Sequence, residues 1–412
     1  MQSAIGPQRT IASACQTPIT NRYQRFFVNL LDKHLQVGQI EFHTSTGTHR
    51  VGNAGELLVV NVHRDDFFRK VVCGGNLGMG ESYMHGDFTV ADGQLDRLLT
   101  MLLTAGLDKK LRRDAGFALR YLWVRTTNLI AAKKTNVRRH YDIGDELFDS
   151  FLQDRYRVYS CGYARTHDDD AETLQSNKLD RICQKLKLSP GQRFLDIGCG
   201  SGGLIIHAAL NYGVQATGIT NSRSHYERTK AAIVANGLQD QVSVVLGDFS
   251  KIDGSFDRIA SVGMLEHVPP RQYAAYFNTI KKVLSEQGWA LVHAIGLNAR
   301  VNENDPFIQK YIFPGSDTPR LSEMAARIEG NDMAIVDVEN LCRHYAVTTR
   351  RWLEAFRDNQ GSLDPAHYDG VFKRMWEYYL CVGVAAALAG NLAVYQVLFT
   401  NDYHAAYPFQ RV

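Results

Sequence analysis

The residues best suited to chemistry begin at a glycine-rich turn. Residues 194–203 read FLDIGCGSGG, an apolar run ending in an acid, Asp196, followed by Gly198 and Gly200 at the entry to an apolar stretch. Glycine lets the backbone pass close to a ligand, and a strand–turn–helix junction delivers that ligand to a helix N-terminus. A bare G-x-G also occurs at ordinary tight α/β turns and at dinucleotide sites, so spacing alone does not choose the ligand. The acid ahead of the glycines makes a cationic cofactor an alternative to a pyrophosphate. Fifty residues on, VVLGDFSKI ends a second apolar run with Asp248 and Phe249. There an acid can hold an adenine amine and a ring can stack on the base, although the same pair suits a surface loop.

These residues need a scaffold, and the pattern from about residue 185 supplies one. QRFLDIG, VQATGIT, QVSVVLGD, FDRIASVG and GWALVHAIG read as strands. Helical periodicity fills the gaps over 204–212, 224–236 and 271–285. Alternation of this kind predicts an α/β fold with a doubly wound, Rossmann-like parallel sheet and ligands at the carboxyl ends of its strands. Before it, the pattern differs. A helix is expected over 23–34, and GQIEFHTSTGTHRVGN alternates as a β-hairpin around a Thr-Gly turn. Residues 65–90 read as Gly-rich turns between short elements, with helices over 94–105 and 109–132. The expected division is a small N-terminal α+β domain, 1–135, and a catalytic domain, 136–412.

Several motifs taken together resemble one family. RRHYDIGDELFDSFL, YRVYSCGYA, FLDIGCGSGG, SVGMLEHV, LVHAIG, YIFPGS and HYAVTTRRW follow the order and spacing of the cyclopropane-fatty-acyl-phospholipid synthases. These are class I methyltransferases that use S-adenosylmethionine (SAM). The resemblance runs from about residue 130 to the C-terminus. The first domain looks like that of the full-length bacterial enzymes, which the shorter mycolic-acid cyclopropane synthases lack. It implies addition of a methylene from SAM across a cis double bond in a phospholipid acyl chain. An alkene is a poor nucleophile, so rate must come from alignment in a dry channel. Aromatic faces would stabilise the carbocation left by methyl transfer. A base must then take a proton from the new methyl group, and in this family that base is thought to be bound bicarbonate.

The resemblance carries the bicarbonate-contacting positions onto Cys161 in YSCGY, Glu266 in MLEHV, His293 in LVHAIG and Tyr345 in HYAVTT, with the backbone of Ile295 as a further contact. Thiol, phenol and imidazole N–H are donors fit to fix an anion. Glu266 would accept from the bicarbonate hydroxyl and hold His293 in one tautomer. All are expected on or just beyond strand ends except Tyr345, expected to fold over the site. Taken singly, a lone Cys is usually a small buried residue and a lone His after a strand is usually structural. For SAM the resemblance points to Tyr141, Tyr159, Ser160, Asp196, Gly198, Gly200, Thr220, Asp248 and Phe249. Two positions depart from it. Ser201 stands where the family usually has Trp, and His225 stands where a Gln contacts the ribose. As is usual in the family, residues 218–221 supply no acid at the end of the second strand.

The whole chain has 412 residues, 45% hydrophobic residues and a net charge of +3, which excludes collagen-like, disordered and small disulfide-scaffold classes. That total hides an uneven distribution. Residues 105–139 hold ten basic and two acidic residues, a net of +8, so the other 377 residues carry −5. Basic residues interleaved with Leu, Phe117 and Trp123 suit a helix lying on an anionic phospholipid surface. A solvated helix packing its apolar side on its own domain fits equally well. No nucleic-acid-reading motif accompanies the block, so no nucleic acid partner is expected. The longest clean apolar run, 380–390, is too short to span a bilayer, and the first residues do not read as a signal peptide. Seven cysteines without a C-x-x-C pair fit reduced thiols and no metal. The expected location is cytoplasmic, at the inner face of the membrane, and the family resemblance suggests a homodimer.

The leading expectation is cyclopropanation. Acyl-chain methylation without ring closure starts from the same cation and stays open. A small-molecule N-methyltransferase shares the YSC and EH motifs, but His293 and the lipid-type first domain argue against it. An inactive membrane-binding relative is less compatible with an intact set of Cys161, Glu266, His293 and Tyr345.

Overall fold

A computed structural model describes residues 21–107, 144–298, 304–314 and 317–404. The chain separates into two compact units, Met1–Thr127 and Asn128–Val412. The helix expected over 109–132 and most of the basic block lie outside the described residues.

In the first unit, α1 (Arg22–His34) starts where the Asn21 side chain accepts from the N–H groups of Tyr23 and Gln24. It buries Phe27, Val28 and Leu31. Strands β1 (Gln39–Thr44) and β2 (Gly47–Gly52) form the expected hairpin, with Thr44 opposite Gly47. The turn is therefore Ser45-Thr46, with Gly47 already inside β2. Strands β3 (Leu57–Val62) and β4 (Phe88–Val90) complete a sheet ordered β2-β1-β3-β4.

The reading of 65–90 as turns is wrong: α2 (Phe67–Met84) occupies it, kinked at Gly75, where φ is +56°. Glycine is required at the kink and at Gly78, where a Cβ would stand 2.0 Å from Lys70 O. Burial of Phe67, Phe68, Val71, Val72, Leu77, Met79 and Met84 outweighs the helix cost of the remaining glycines. Helix α3 (Leu95–Thr104) follows as expected.

The second unit begins with α4 (Asp145–Phe151) and α5 (Ala171–Lys185). Then come β5 (Arg193–Ile197), α6 (Gly203–Tyr212), β6 (Gln215–Thr220), α7 (Arg223–Ala235), β7 (Val242–Leu246), β8 (Phe256–Val262), α8 (Tyr273–Val283) and β9 (Leu284–Leu297). The remainder is α9 (Leu321–Glu329), β10 (Ala334–Asn340), α10 (Cys342–Asn359), α11 (Gly370–Leu388) and β11 (Leu392–Thr400). The seven strands lie in the order β10-β11-β9-β8-β5-β6-β7. Neighbours from β9 to β7 are parallel, and β11 inserts antiparallel between β9 and β10. This is the class I methyltransferase sheet. Its strand order reverses between β5 and β8, and a crevice opens at such a switch point. Two apolar clusters pack the sheet. One joins Ile197, Tyr276 and Val397, and the other joins Phe194, Ile205 and Leu398.

The apolar run at 380–390 is the end of α11, where Leu380, Cys381, Val384 and Ala385 are buried. No described helix is long and apolar enough to cross a membrane. The six described cysteines are free.

Candidate active site

The glycine turn sits at the carboxyl end of β5. The N–H groups of Gly198 and Cys199 donate to Ile219 O on β6 at 2.9 and 3.0 Å. From α7, Thr229 Oγ1 donates to Gly200 O at 3.1 Å. Gly198 has φ +84°, and a Cβ there would stand 2.8 Å from Met264 Cγ. At Gly200 a side chain would enter open space. Beside this turn lies a cavity of about 420 Å³, lined by Tyr159, Ser160, Asp196, Gly198, Gly200, Thr220, His225, Asp248 and Phe249. Nine of the ten positions expected to contact the cofactor thus share one wall, while Tyr141 lies outside the described residues. Both departures, Ser201 and His225, line it too.

The carboxylates in this wall differ. Asp196 is 3% exposed and its Oδ1 has no hydrogen-bond partner. Burial pushes it up to about 7, against the pull of Lys178. Asp248 Oδ1 caps the next turn, accepting from Ser250 N at 2.9 Å and Ser250 Oγ at 2.5 Å, and these bonds hold its pKa low. Phe249 sets its ring edge-on to Tyr276 with centroids 5.6 Å apart.

Behind the cavity the segment 159–164 is tied to α10. Gly162 N donates to Thr348 Oγ1 at 3.0 Å, and Ala164 N to His344 Nδ1 at 3.1 Å. Cys161 is buried there, its thiol 3.8 Å from Leu341 O, and burial pushes its pKa up. Tyr345, on α10, is buried, with Cys161, Glu266 and Tyr379 all close enough to raise its pKa further. Tyr159 and Tyr379 share a hydroxyl–hydroxyl hydrogen bond, and Tyr379 also bonds Tyr345. Three phenols therefore form one chain from the cavity wall to the polar cluster. Around Tyr159 stand Phe148, Phe151 and Trp352, at centroid distances of 5.3, 5.7 and 5.1 Å.

A family model described as mycolic acid cyclopropane synthetase matches residues 130–397. The chain belongs to that family. It is accordingly a SAM-dependent methyltransferase. It is 36% identical over 344 residues to the cyclopropane-fatty-acyl-phospholipid synthase of Escherichia coli K12, covering 83% of this chain and 87% of that protein. It is 31% identical to the tuberculostearic acid methyltransferase UfaA1 of Mycobacterium tuberculosis, covering 81% of each. Among solved structures, the mycolic acid cyclopropane synthase CmaA1 complexed with SAH and CTAB superposes with a TM-score of 0.59 at 28% identity. That match covers 64% of this chain and 97% of CmaA1.

Within this member of the cyclopropane synthetase family, three expectations need correction. Glu266 does not hold His293. It sits in a 3-10 turn just past β8, and its Oε1 accepts from Ile295 N at 2.8 Å. That also gives the Ile295 N–H a partner within the protein. The His293 ring is met by Gln396 instead, whose Nε2 lies 3.2 Å from Nδ1. His293 lies inside a 14-residue strand and not at a strand end, because β11 pairs with β9 all the way to Leu297. Cys161 lies on the irregular stretch between α4 and α5. Burial, aided by Lys178 and Lys185, pulls the His293 imidazole down to about 3. Burial raises Glu266 to about 7, and its Oε2 is shielded without a partner.

Lys178 was not anticipated. It is fully buried on α5, lines the cavity and donates from Nζ to Ser160 Oγ at 3.2 Å. A lone buried ammonium costs several kcal/mol in order of magnitude, so its partners matter. Asp154, Cys161 and Asp196 favour its charge, while burial brings it down to about 8. A signal was present: Lys178 falls in the i, i+4 row between Leu174 and Ile182, both buried, where a cation has no bland purpose.

Proposed function

We propose that this enzyme closes a cyclopropane ring on the cis double bond of an unsaturated phospholipid acyl chain. In this reading SAM supplies an electrophilic methyl group, and bicarbonate supplies a proton-accepting oxygen beside it. The residues present suit both. Asp196 offers an unpartnered carboxylate oxygen to a cationic cofactor, and the bare Cα of Gly200 leaves room for it. Tyr159 lines the cavity with Trp352 packed beside it, and an aromatic ring there suits a region where positive charge develops. Glu266 presents Oε2 as an acceptor, while the Cys161 thiol and Tyr345 hydroxyl are buried protonated donors at the same cluster.

The observation carrying the proposal is that Cys161 directly follows Tyr159 and Ser160 of the cavity wall, Glu266 lies between Met264 and His267 of the same wall, and Tyr345 is tied to Tyr159 through Tyr379. Incubation with SAM and vesicles of unsaturated phospholipid tests it. Gain of one CH2 with loss of the double bond is expected. Gain of CH2 with the double bond retained would favour acyl methylation, the reading suggested by the 31% identity to a tuberculostearic acid methyltransferase. Turnover on amines and none on lipid would overturn both.

Reaching an acyl chain requires docking on a membrane, and the +8 net charge of residues 105–139 supports docking on an anionic inner-leaflet surface. Each Lys or Arg near such a surface adds about 1 kcal/mol. Flotation with anionic liposomes should show binding that weakens when this block is neutralised. Unchanged flotation would remove the block from the reading. A homodimer is also proposed, and analytical ultracentrifugation decides it.

A further inference from the structure

Three adjacent strands place a polar row across the sheet. On β10 and β11, Glu339 stands opposite Gln396, and on β11 and β9, Gln396 stands opposite His293. The row is bonded from end to end. Lys185 Nζ, reaching in from α5, donates to Glu339 Oε2 at 2.6 Å and to Gln396 Oε1 at 2.7 Å. Arg181 closes on Glu339 with two bonds, at 2.7 and 3.0 Å.

This arrangement decides which way the amide of Gln396 faces. An ammonium only donates, so the amide atom facing Lys185 must be the oxygen. The –NH2 is then left for His293, 3.2 Å away at Nδ1. A ring nitrogen that accepts carries no proton, so the proton of the neutral imidazole resides on Nε2. Gln396 and His293 are 1% and 2% exposed, so solvent is not available to exchange these roles.

We infer that Gln396 is a positioning residue: locked by Lys185 and Glu339, it fixes His293 as a neutral imidazole whose single donor is Nε2–H. The catalytic consequence rests on the proposed function. There, His293 acts as a permanent donor to the anion and takes no part in removing the substrate proton. The burial that holds the ring neutral down to about pH 3 agrees with that role.

Nitrogen-15 NMR of the full chain labelled at histidine tests the assignment, with His293→Asn identifying the resonance. In the unaltered protein near neutral pH, His293 should show protonated Nε2 and bare Nδ1. Gln396→Glu keeps the shape and the Lys185 contact but replaces the donor with an acceptor, so the proton should move to Nδ1. Gln396→Leu removes the preference and should give both tautomers. In Gln396→Glu kcat should fall about 100-fold, the usual effect of losing one preorganised donor, and in Gln396→Leu only about two- to fivefold, since part of the population keeps Nε2–H, while KM for SAM stays within about twofold in both. Protonated Nδ1 or an imidazolium in the unaltered protein would overturn the inference, even if Gln396→Glu fails to fold. A tautomer unmoved in folded Gln396→Glu would overturn it as well. Absence of lipid turnover in the unaltered protein would sink the proposed function, yet the tautomer readings would still decide the role of Gln396.

Discussion

Glu266 Oε1 accepts a 2.8 Å hydrogen bond from the backbone N–H of Ile295, joining the turn after β8 to the end of β9. Two positions expected to serve a common ligand thus first serve one another. The bond spends one carboxylate oxygen on fixing the side chain and leaves the other, Oε2, shielded and without a partner. An acid held in this way is preorganised, since it does not need to find its rotamer when the site fills.

Replacement of Glu266 by Gln should therefore separate binding from turnover. The amide keeps an oxygen for Ile295 N–H but puts an –NH2 where an acceptor stood. Turnover on lipid should fall at least about 100-fold. SAM affinity, measured by calorimetry, should remain within about threefold because Glu266 is not in the cavity wall. Unaltered turnover would refute its assigned role.

The pH dependence follows from the direction of the Glu266 shift. Burial raises its folded pKa to about 7, above the ordinary value of 4.5. Its contribution to stability is complete below the unfolded pKa and is lost as pH rises through the folded one. Activity requiring its ionised form should rise with pH through about 7. The rising limb of kcat against pH checks this, and Glu266→Gln should abolish that limb.

Asp196 obeys the same sign. Its folded pKa near 7 makes ionisation costly to the free protein as pH climbs, with Lys178 relieving part of the cost. Asp196→Asn should raise the melting temperature at pH 8 by a few degrees, corresponding to about 1–2 kcal/mol, and change it little at pH 5. SAM affinity at pH 8 should fall about tenfold, because the oxygen that complements a cation is gone. Calorimetry and thermal melts at the two pH values decide it.

Much of this site was legible because it is local in sequence. The turn holding Gly198 and Gly200 follows directly from an apolar strand, and Asp248-Phe249 closes another, so period and spacing located both. Tyr159, Ser160 and Cys161 became legible through the family resemblance. Gln396, Lys185 and Glu339 did not, for a physical reason. Each lies in a separate element, and only the β10-β11-β9 register brings them into one row. The β10 and β11 strands were themselves missed, since a strand inserted between two others can be recognised only by its pairing. The helix across 67–84 was not legible because its glycines disfavour a helix locally, while its apolar face is rewarded only by tertiary packing.

The phenol chain gives a separate test. Tyr379 bonds both Tyr159 and Tyr345, so Tyr379→Phe cuts the link while keeping the ring. Two buried hydroxyls each lose a partner, a cost of about 1–3 kcal/mol in stability. Turnover should fall about tenfold through loosened placement of Tyr345, with SAM binding retained. A variant with wild-type kcat would show that the chain is only structural.

The turn itself offers the last prediction, through Gly198. Its φ of +84° disfavours any other residue, and a Cβ would lie 2.8 Å from Met264 Cγ and 3.0 Å from Met264 Cβ. Gly198→Ala therefore meets two separate obstacles. Backbone strain of this kind costs about 1–3 kcal/mol, and the contact with Met264 must be relieved by moving a side chain that also lines the cavity. Met264→Ala in the same protein removes the contact with Cγ, keeps the 3.0 Å approach of Cβ and leaves the strain. The single variant should weaken SAM binding at least about tenfold. The double variant should recover part of the affinity while its melting temperature stays depressed. Full recovery of both quantities would show that the Met264 side chain beyond Cβ alone required glycine here, and no recovery of affinity would place the requirement in the backbone and the remaining Cβ approach.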